Sequence, residues 1–150
     1  MEKHLKVSAI KDGTVIDHIP TKALFKVMKI LKLEECSQMV TFGNNLDSKA
    51  MGVKAINKIA NRFFADEEVN KIALVAPRAK LNTIRDYEVV EKRVVETPGE
   101  IIGIVRCFNP KCITNAENIT TRFEVLSDKP IALKCFYCEK ITNENEMSFY

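Results

Sequence analysis

The chain has 150 residues, of which 46% are apolar and 29% charged, and its net charge is +3 at neutral pH. This length and composition are typical of a foldable soluble protein with one domain or two small ones. So small a net charge does not by itself indicate a nucleic-acid partner, and no apolar run approaches the roughly 18 residues of a membrane span.

The N-terminal stretch MEKHLKVSAIKDG is too polar for a secretory signal peptide. The sequence therefore predicts a cytoplasmic protein without membrane association, in a compartment that keeps thiols reduced. The charge is unevenly distributed, because residues 1–97 carry 17 Lys and Arg against 13 Asp and Glu, whereas residues 98–150 carry 6 against 7.

The first elements along the chain are a predicted β-hairpin and a helix. Residues 5–10 and 14–19 alternate or run apolar on either side of Lys11-Asp12-Gly13, which is typical of a hairpin turn. Pro20-Thr21 is predicted to open a helix, since proline is tolerated at a helix start. Spacings of three and four place one apolar stripe on this helix, as core or as a subunit contact. The stripe consists of Leu24, Val27, Met28 and Leu31.

The next elements complete an α+β pattern. Residues 38–46 and 55–64 are predicted strands, and residues 81–95, rich in β-branched side chains, predict one or two more. Asp66-Glu67-Glu68 begins a short predicted helix that continues to Ile72 and Leu74, because acidic residues suit the positive end of a helix. The sequence therefore predicts an N-terminal sheet with two helices packed on one face.

Thr97-Pro98-Gly99 is the predicted domain boundary, because proline and glycine both interrupt regular structure. We expect domains at 1–97 and 98–150, the second a small all-β domain with short strands within 101–107, 120–126 and 131–135. Residues 143–150 are predicted to be a frayed tail. A domain this small has little core, and in a reducing compartment its staple is more often a metal than a disulfide.

Four of the five cysteines form two close pairs, Cys107-x4-Cys112 and Cys135-x2-Cys138. Their number and spacing match a tetrahedral zinc site of the zinc-ribbon type, although the 22 residues between the pairs slightly exceed the usual range. Asn109-Pro110 fits a tight turn that brings the first pair together. A CxxC redox pair and two disulfides are the alternatives, and the redox pair leaves the first two cysteines unexplained.

The predicted zinc is structural, one ion per chain, because four cysteines close the position that a catalytic zinc keeps open for water. His4 and His18 also lack the H-x-E pattern of zinc deaminases. The fifth cysteine, Cys36, is predicted to be a small buried apolar residue.

The first half carries no recognisable catalytic or phosphate-loop motif. It does carry polar and basic residues on predicted strands: Asp17, His18, Lys54, Lys58, Asn82 and Lys92. Converging lysines could hold phosphates and an aspartate could accept from ribose hydroxyls, but solvated strand faces explain the same pattern.

Four stretches carry a resemblance to a known family: GTVIDHIP (13–20), MGVKAINKI (51–59), LNTIRDYEVVEK (81–92) and the pairs CFNPKC…LKCFYCEK. In this order and these positions, they resemble the regulatory chain of aspartate carbamoyltransferase over nearly the whole sequence. The resemblance implies a non-catalytic subunit whose N-terminal allosteric domain binds CTP, ATP and UTP. It also implies a C-terminal zinc domain that docks on the catalytic chain. Regulatory chains of the family form homodimers that bridge two catalytic trimers and control the first committed step of pyrimidine biosynthesis.

The resemblance also implies a nucleotide pocket. Asp17 and Lys58 would lie near the ribose and base, and His18 and Lys92 would meet the phosphates. One departure is Ser8, where the best-known members carry an acidic residue. The implied pocket residues are Val7, Ser8, Ala9, Ile10, Val15, Asp17, His18, Lys54, Ile56, Lys58, Asn82, Ile84, Tyr87, Val89 and Lys92.

A zinc-ribbon nucleic-acid-binding module is the competing interpretation. Phe108, Phe136 and Tyr137 would suit such a module, but its ribbon should carry a basic patch. The small excess of acidic residues in 98–150 argues against it, and we expect no nucleic-acid partner.

Overall fold

The computed structural model describes residues 8–150, and the chain divides into two compact units between Glu96 and Thr97. Among the helices of residues 8–150, none has the length and apolar character needed to cross a bilayer. The predicted pocket residue Val7 lies outside the described residues.

The first unit is built on an antiparallel sheet in the order β2-β3-β1-β4-β5. Strand β1 is central and pairs with β3 on one side and with β4 on the other. The strands are β1 (Gly13–Ile19), β2 (Val40–Ser48), β3 (Gly52–Ala60), β4 (Lys80–Arg85) and β5 (Glu88–Val94).

Two short helices, α1 (Leu24–Ile30) and α2 (Asp66–Asn70), cover one face of this sheet. A 3-10 turn follows each of them, at Leu33–Glu35 and Lys71–Leu74. The predicted stripe on α1 does form core, because Leu24 and Val27 are completely buried together with Ile16 and Ile59 of the sheet. The predicted α+β arrangement, with two helices on one face, is confirmed.

The predicted hairpin of residues 5–10 with 14–19 is wrong within the described residues. Residues 8–10 form no strand, and both edges of β1 are already occupied by β3 and β4. The preceding segment is instead held by individual hydrogen bonds. The N–H of Asn61 donates to Asp12 O and that of Tyr87 to Lys11 O, both at 2.9 Å.

The strand predicted over 55–64 lies three to four residues earlier, at Gly52–Ala60. Asn61 has a φ of 57°, which ends the extended conformation. The apolar residues that extended the prediction have other roles. Phe64 packs in the core, and the Phe63 ring lies 4.3 Å from the Arg85 guanidinium.

The second unit is a small β structure with one α-helical turn, α3 (Ile113–Ala116), and a 3-10 turn at Glu144–Glu146. A sheet in the order β10-β9-β8-β6 is accompanied by a two-stranded sheet of β11 and β7. The core includes Phe123, Leu133, Ile101 and Val105, all nearly or completely buried. The strands are β6 (Glu100–Ile102), β7 (Val105–Arg106), β8 (Arg122–Asp128), β9 (Ile131–Cys135), β10 (Ile141–Asn143) and β11 (Ser148–Phe149).

The prediction of a frayed tail over 143–150 is wrong. Strand β11 pairs with β7, with Ser148 opposite Arg106 and Phe149 opposite Val105. The Arg106 guanidinium also lies 4.6 Å from the Tyr150 ring. Pairing with β7 orders the tail, and β11 is the only partner strand that β7 has among the described residues.

Gly13 gives a test of the packing at the start of β1. Its φ is +139°, and a Cβ there would lie 2.1 Å from Ile59 O. We expect Gly13→Ala to destabilise the first unit by about 2–4 kcal/mol, because backbone strain adds to a clash with a fixed backbone atom.

Gly52→Ala is the matched control. Gly52 also has a positive φ of +79°, but a Cβ on this residue would have nothing within 4 Å of it. Strain alone should cost about 1 kcal/mol. Urea unfolding followed by far-UV circular dichroism measures both, and equal destabilisation by the two substitutions would contradict the packing explanation.

Candidate functional site

The four paired cysteines of the second unit converge on one point. Cys107 follows β7, Cys112 caps α3, Cys135 ends β9, and Cys138 lies in the turn beyond it. Their four sulfurs all lie within 4.8 Å of one another.

The sulfur distances suit a tetrahedral ion. The Sγ atoms are 3.7 Å apart between Cys107 and Cys138, and 3.8 Å apart between Cys112 and Cys135. A tetrahedron with metal–sulfur bonds of about 2.3 Å has edges of about 3.8 Å. The cysteines are free thiols, so the disulfide alternative fails, and a CxxC redox pair does not explain why all four converge. The donor set therefore fits a closed, structural metal site.

Two asparagines, Asn109 and Asn115, shape the loop between Cys107 and Cys112. The N–H of Cys112 donates to Asn109 O at 3.0 Å, and that of Lys111 donates to Asn109 Oδ1 at 3.1 Å. These bonds form the tight turn that Asn109-Pro110 predicts. Asn115 Nδ2, which the motif spacing did not single out, donates to both Cys107 O and Asn109 O at 2.8 Å. The loop is thereby fixed from both sides.

Burial sets the protonation chemistry of these thiols. It raises the pKa of Cys107 and of Cys135, so without a cation their thiolates are unfavourable at neutral pH. Burial also acts to raise the pKa of Cys138, but hydrogen bonds with the Lys140 backbone, the Asn109 side chain and the thiols of Cys107 and Cys135 together outweigh it and lower the pKa to about 7. A bound cation would stabilise all four thiolates at once.

Cys36 lies in the first unit, apart from this cluster. It is half-buried against the core, and its Sγ donates to Gln38 Oε1 at 3.1 Å. The prediction of a small buried apolar residue is therefore confirmed only in part, because Cys36 packs against the core but is half-buried, with its thiol bonded to Gln38 at the edge.

The second candidate site is the sheet face of the first unit that points away from the helices. Side chains alternate along β1, so Val15 and Ile16 lie on opposite faces of the sheet. In the strand register, Val15 is paired with Lys58 of β3 and with Asn82 of β4. Asn82 is in turn opposite Lys92. Residues that lie far apart in sequence therefore form one row across four strands.

An apolar patch lies on the same face. Ile10, Val15 and Ile84 are buried in one cluster, with Ile56 packed against it. Val89 joins by register, because it lies opposite Ile84. This patch is separate from the core beneath the helices and has the apolar character that a planar base could cover.

Charged groups lie beside this patch. The Asp17 carboxylate accepts from Lys54 Nζ at 2.9 and 3.1 Å, and from the His18 N–H at 2.7 Å. His18 has a φ of 58° and lies where the β1–β3 register shifts, which marks a β-bulge near the end of β1. Its buried Nδ1 lies 3.7 Å from Asp17 Oδ1, too far for a hydrogen bond.

Lys58 is the buried cation of this face. It is 8% exposed, and its Nζ donates to Ser8 O at 2.9 Å. Burial lowers the pKa of Lys58, and the nearby Asp17 carboxylate partly offsets that effect. An anionic ligand here would favour the charged lysine.

Other predicted pocket residues are not drawn into these contacts. Ala9 is exposed, and Tyr87 is 67% exposed at the turn between β4 and β5, where its φ is 67°. Lys92 is exposed on β5 and joins the face through register.

The structure thus defines a class of protein: an α+β unit with a charged sheet face, followed by a β unit with a four-cysteine metal site. Residues 5–96 match the family described as the aspartate carbamoyltransferase regulatory chain, allosteric domain. Residues 99–148 match the metal binding domain of the same chain.

Curated relatives agree with both matches. The chain is 54% identical to the aspartate carbamoyltransferase regulatory chain of Bacteroides thetaiotaomicron over 144 residues, which cover 96% of this chain and 94% of that one. It is 54% identical to the chain of that name from Pyrococcus abyssi over 145 residues, 95% of each. The chain belongs to the aspartate carbamoyltransferase regulatory chain family. It is a regulatory chain and not a catalytic one.

The four-cysteine geometry predicts which thiols bind metal. Cys135→Ala should abolish stoichiometric metal binding, because only three thiolates remain and the tetrahedron lacks its fourth ligand. Elemental analysis of the purified chain measures this. Cys36→Ala is the matched control and should keep the full metal content, and loss of metal there would contradict the assignment.

Proposed function

We propose that this chain binds nucleoside triphosphates on the helix-free face of its first sheet and transmits their effect to the catalytic chain of aspartate carbamoyltransferase. CTP, ATP and UTP are the proposed effectors, and the reaction under control is the first committed step of pyrimidine biosynthesis. The observation that carries the proposal is the row of Val15, Lys58, Asn82 and Lys92 across that face, beside the Asp17–Lys54 ion pair.

The chemistry of the face suits the parts of a nucleotide. The patch of Ile10, Val15 and Ile84 offers an apolar surface for the base. Asp17 is an acceptor suited to ribose hydroxyls. Lys92 on the exposed edge strand supplies a positive charge for the phosphates, since lysine binds phosphate as a point charge, and His18 at the bulge would meet them too. The proposed site also includes the Ser8 and Ala9 segment and Tyr87, whose contacts would form on binding.

In this proposal, residues 1–97 form the allosteric domain, and residues 98–150 form a metal domain that contacts the catalytic chain. Zinc is the proposed ion, one per chain, because four thiolates in a tetrahedron are its typical structural site. Cys107, Cys112, Cys135 and Cys138 would hold it, and its role would be to fold this unit. Structural zinc contributes about 10–16 kcal/mol in small finger peptides, and that binding energy is folding energy.

The proposed assembly is a regulatory homodimer that bridges two catalytic trimers in the cytoplasm, without membrane or nucleic acid. Nucleotides would act by binding two quaternary states with different affinities. A coupling free energy of about 1–3 kcal/mol is typical of such systems. Residues 97–99 provide the covalent connection between the two units.

Lys92→Ala tests the nucleotide site. Loss of a hydrogen bond to a charged phosphate should weaken triphosphate binding by about 1.5–3 kcal/mol, measured by isothermal titration calorimetry. Lys29→Ala is the control, because Lys29 is exposed on α1, on the helical side of the sheet, and carries the same charge. Unchanged affinity in Lys92→Ala would remove Lys92 from the site.

Cys112→Ala tests the division between the two units. Without its fourth ligand the second unit should lose its metal and its fold, so the chain should no longer assemble with catalytic chains. Triphosphate binding by the first unit should persist. Size-exclusion chromatography of the co-expressed chains, with calorimetry of the regulatory chain alone, separates the two effects. Co-elution at the normal ratio would contradict the proposed role of the metal.

A further inference from the structure

Four thiolates around one divalent cation leave a net charge of about −2, so the buried sulfurs of such a site need hydrogen-bond donors. At Cys112 the hydrogen-bond donor is a side-chain hydroxyl. Thr114 Oγ1 donates to Cys112 Sγ over 3.2 Å. Thr114 is the buried residue of α3, with 6% of its surface exposed, and Cys112 is 1% exposed. Both ends of this hydrogen bond are therefore shielded from water, which would otherwise compete for it.

Packing alone does not account for a threonine here. Valine has nearly the same shape, and burying a hydroxyl is unfavourable unless it finds a partner. A threonine in a helix usually bonds a carbonyl three or four residues earlier. Thr114 instead bonds the sulfur two residues earlier, and an ionised sulfur is the stronger kind of acceptor.

We infer that Thr114 is a positioning residue of the metal site, whose hydroxyl holds the Cys112 thiolate in place and slows release of the metal. The hydrogen bond favours the sulfur position that faces the other three cysteines, so a chelator draws Cys112 away from the ion less readily. It also restricts rotation of the Cys112 side chain at the point where α3 begins. This inference rests on the proposed zinc site and adds to it a determinant outside the four ligands.

The test compares three full-length chains loaded with Zn²⁺: wild type, Thr114→Val and Thr114→Ser. Valine keeps the shape and removes the donor, whereas serine keeps the donor. Release of zinc to excess chelator is followed with a chromogenic indicator. Thr114→Val should release zinc about tenfold faster or more, within the range found for lost second-shell partners, and Thr114→Ser should stay within about twofold of wild type.

Substitution with Co²⁺ gives a second readout that a packing role would not move. The sulfur-to-cobalt charge-transfer bands should shift in Thr114→Val and not in Thr114→Ser, because only the former removes a hydrogen bond from a ligand sulfur. Thr114→Ala is the further variant if valine prevents folding, and it should behave as Thr114→Val does.

The outcomes separate the inference from the proposed function. A wild-type chain that binds no stoichiometric zinc refutes the zinc site itself. A wild type that binds zinc, with release and spectra that Thr114→Val leaves unchanged, refutes only the role of Thr114. If neither Thr114→Val nor Thr114→Ala folds in excess zinc while Thr114→Ser does, the hydroxyl serves the fold rather than the retention of metal, and the inference is also wrong.

Discussion

The convergence of four cysteine sulfurs within 4.8 Å of one another is the constraint on which the second unit depends. Three of the four residues are buried, and burial raises the pKa of Cys107 and Cys135, so without a cation these two thiols are neutral at neutral pH. A divalent cation would change this balance, because it would bind all four sulfurs as thiolates. It would then hold the loop from Cys107 to Cys112, the helical turn after it and the end of β9 at a single point, which would compensate for a small core.

The first unit is organised differently, around the two faces of one sheet. Ile16 and Ile59 point to the helices and form the main core, whereas Val15 and Lys58 point the other way. The second face combines a small buried patch with the Asp17–Lys54 pair. Because this face lies opposite α1 and α2, its charged groups lie near an apolar patch without entering the main core. This separation would let the unit remain stable while the proposed anionic ligand binds on that side.

The two units therefore serve a regulatory chain in complementary ways. One carries the face on which we propose that nucleotides bind, and the other has a four-cysteine cluster that suits a metal and leaves no open catalytic position. Family membership, which covers residues 5–96 and 99–148, agrees with this physical division. Thr114 is an example of a residue other than the four cysteines that contacts this cluster. Its buried hydroxyl donates to Cys112 Sγ, and no apolar side chain could make the same hydrogen bond.

Much of this was accessible from the sequence for physical reasons that are local. The helix stripe of α1 follows from spacing, the α2 start from its acidic residues, and the cysteine cluster from two close pairs, since residues close in sequence lie close in space. The overlong strand at 55–64 and the frayed tail were wrong for the opposite reason. Asn61 and β11 owe their conformations to partners elsewhere in the fold.

The sequence by itself thus determined the fold class, the family resemblance and which four cysteines form the cluster, because each depends on residue type and short spacing. Only the tertiary structure decided that residues 8–10 form no hairpin with β1, that Lys58 is buried against Ser8 O, and that Thr114 reaches the sulfur of Cys112. The first two depend on which strands occupy the edges of β1 and on where segments distant in sequence end, and spacing along the chain does not encode those distances. The third is local in sequence, but it depends on the backbone turn at the start of α3 that brings the Thr114 hydroxyl to the sulfur.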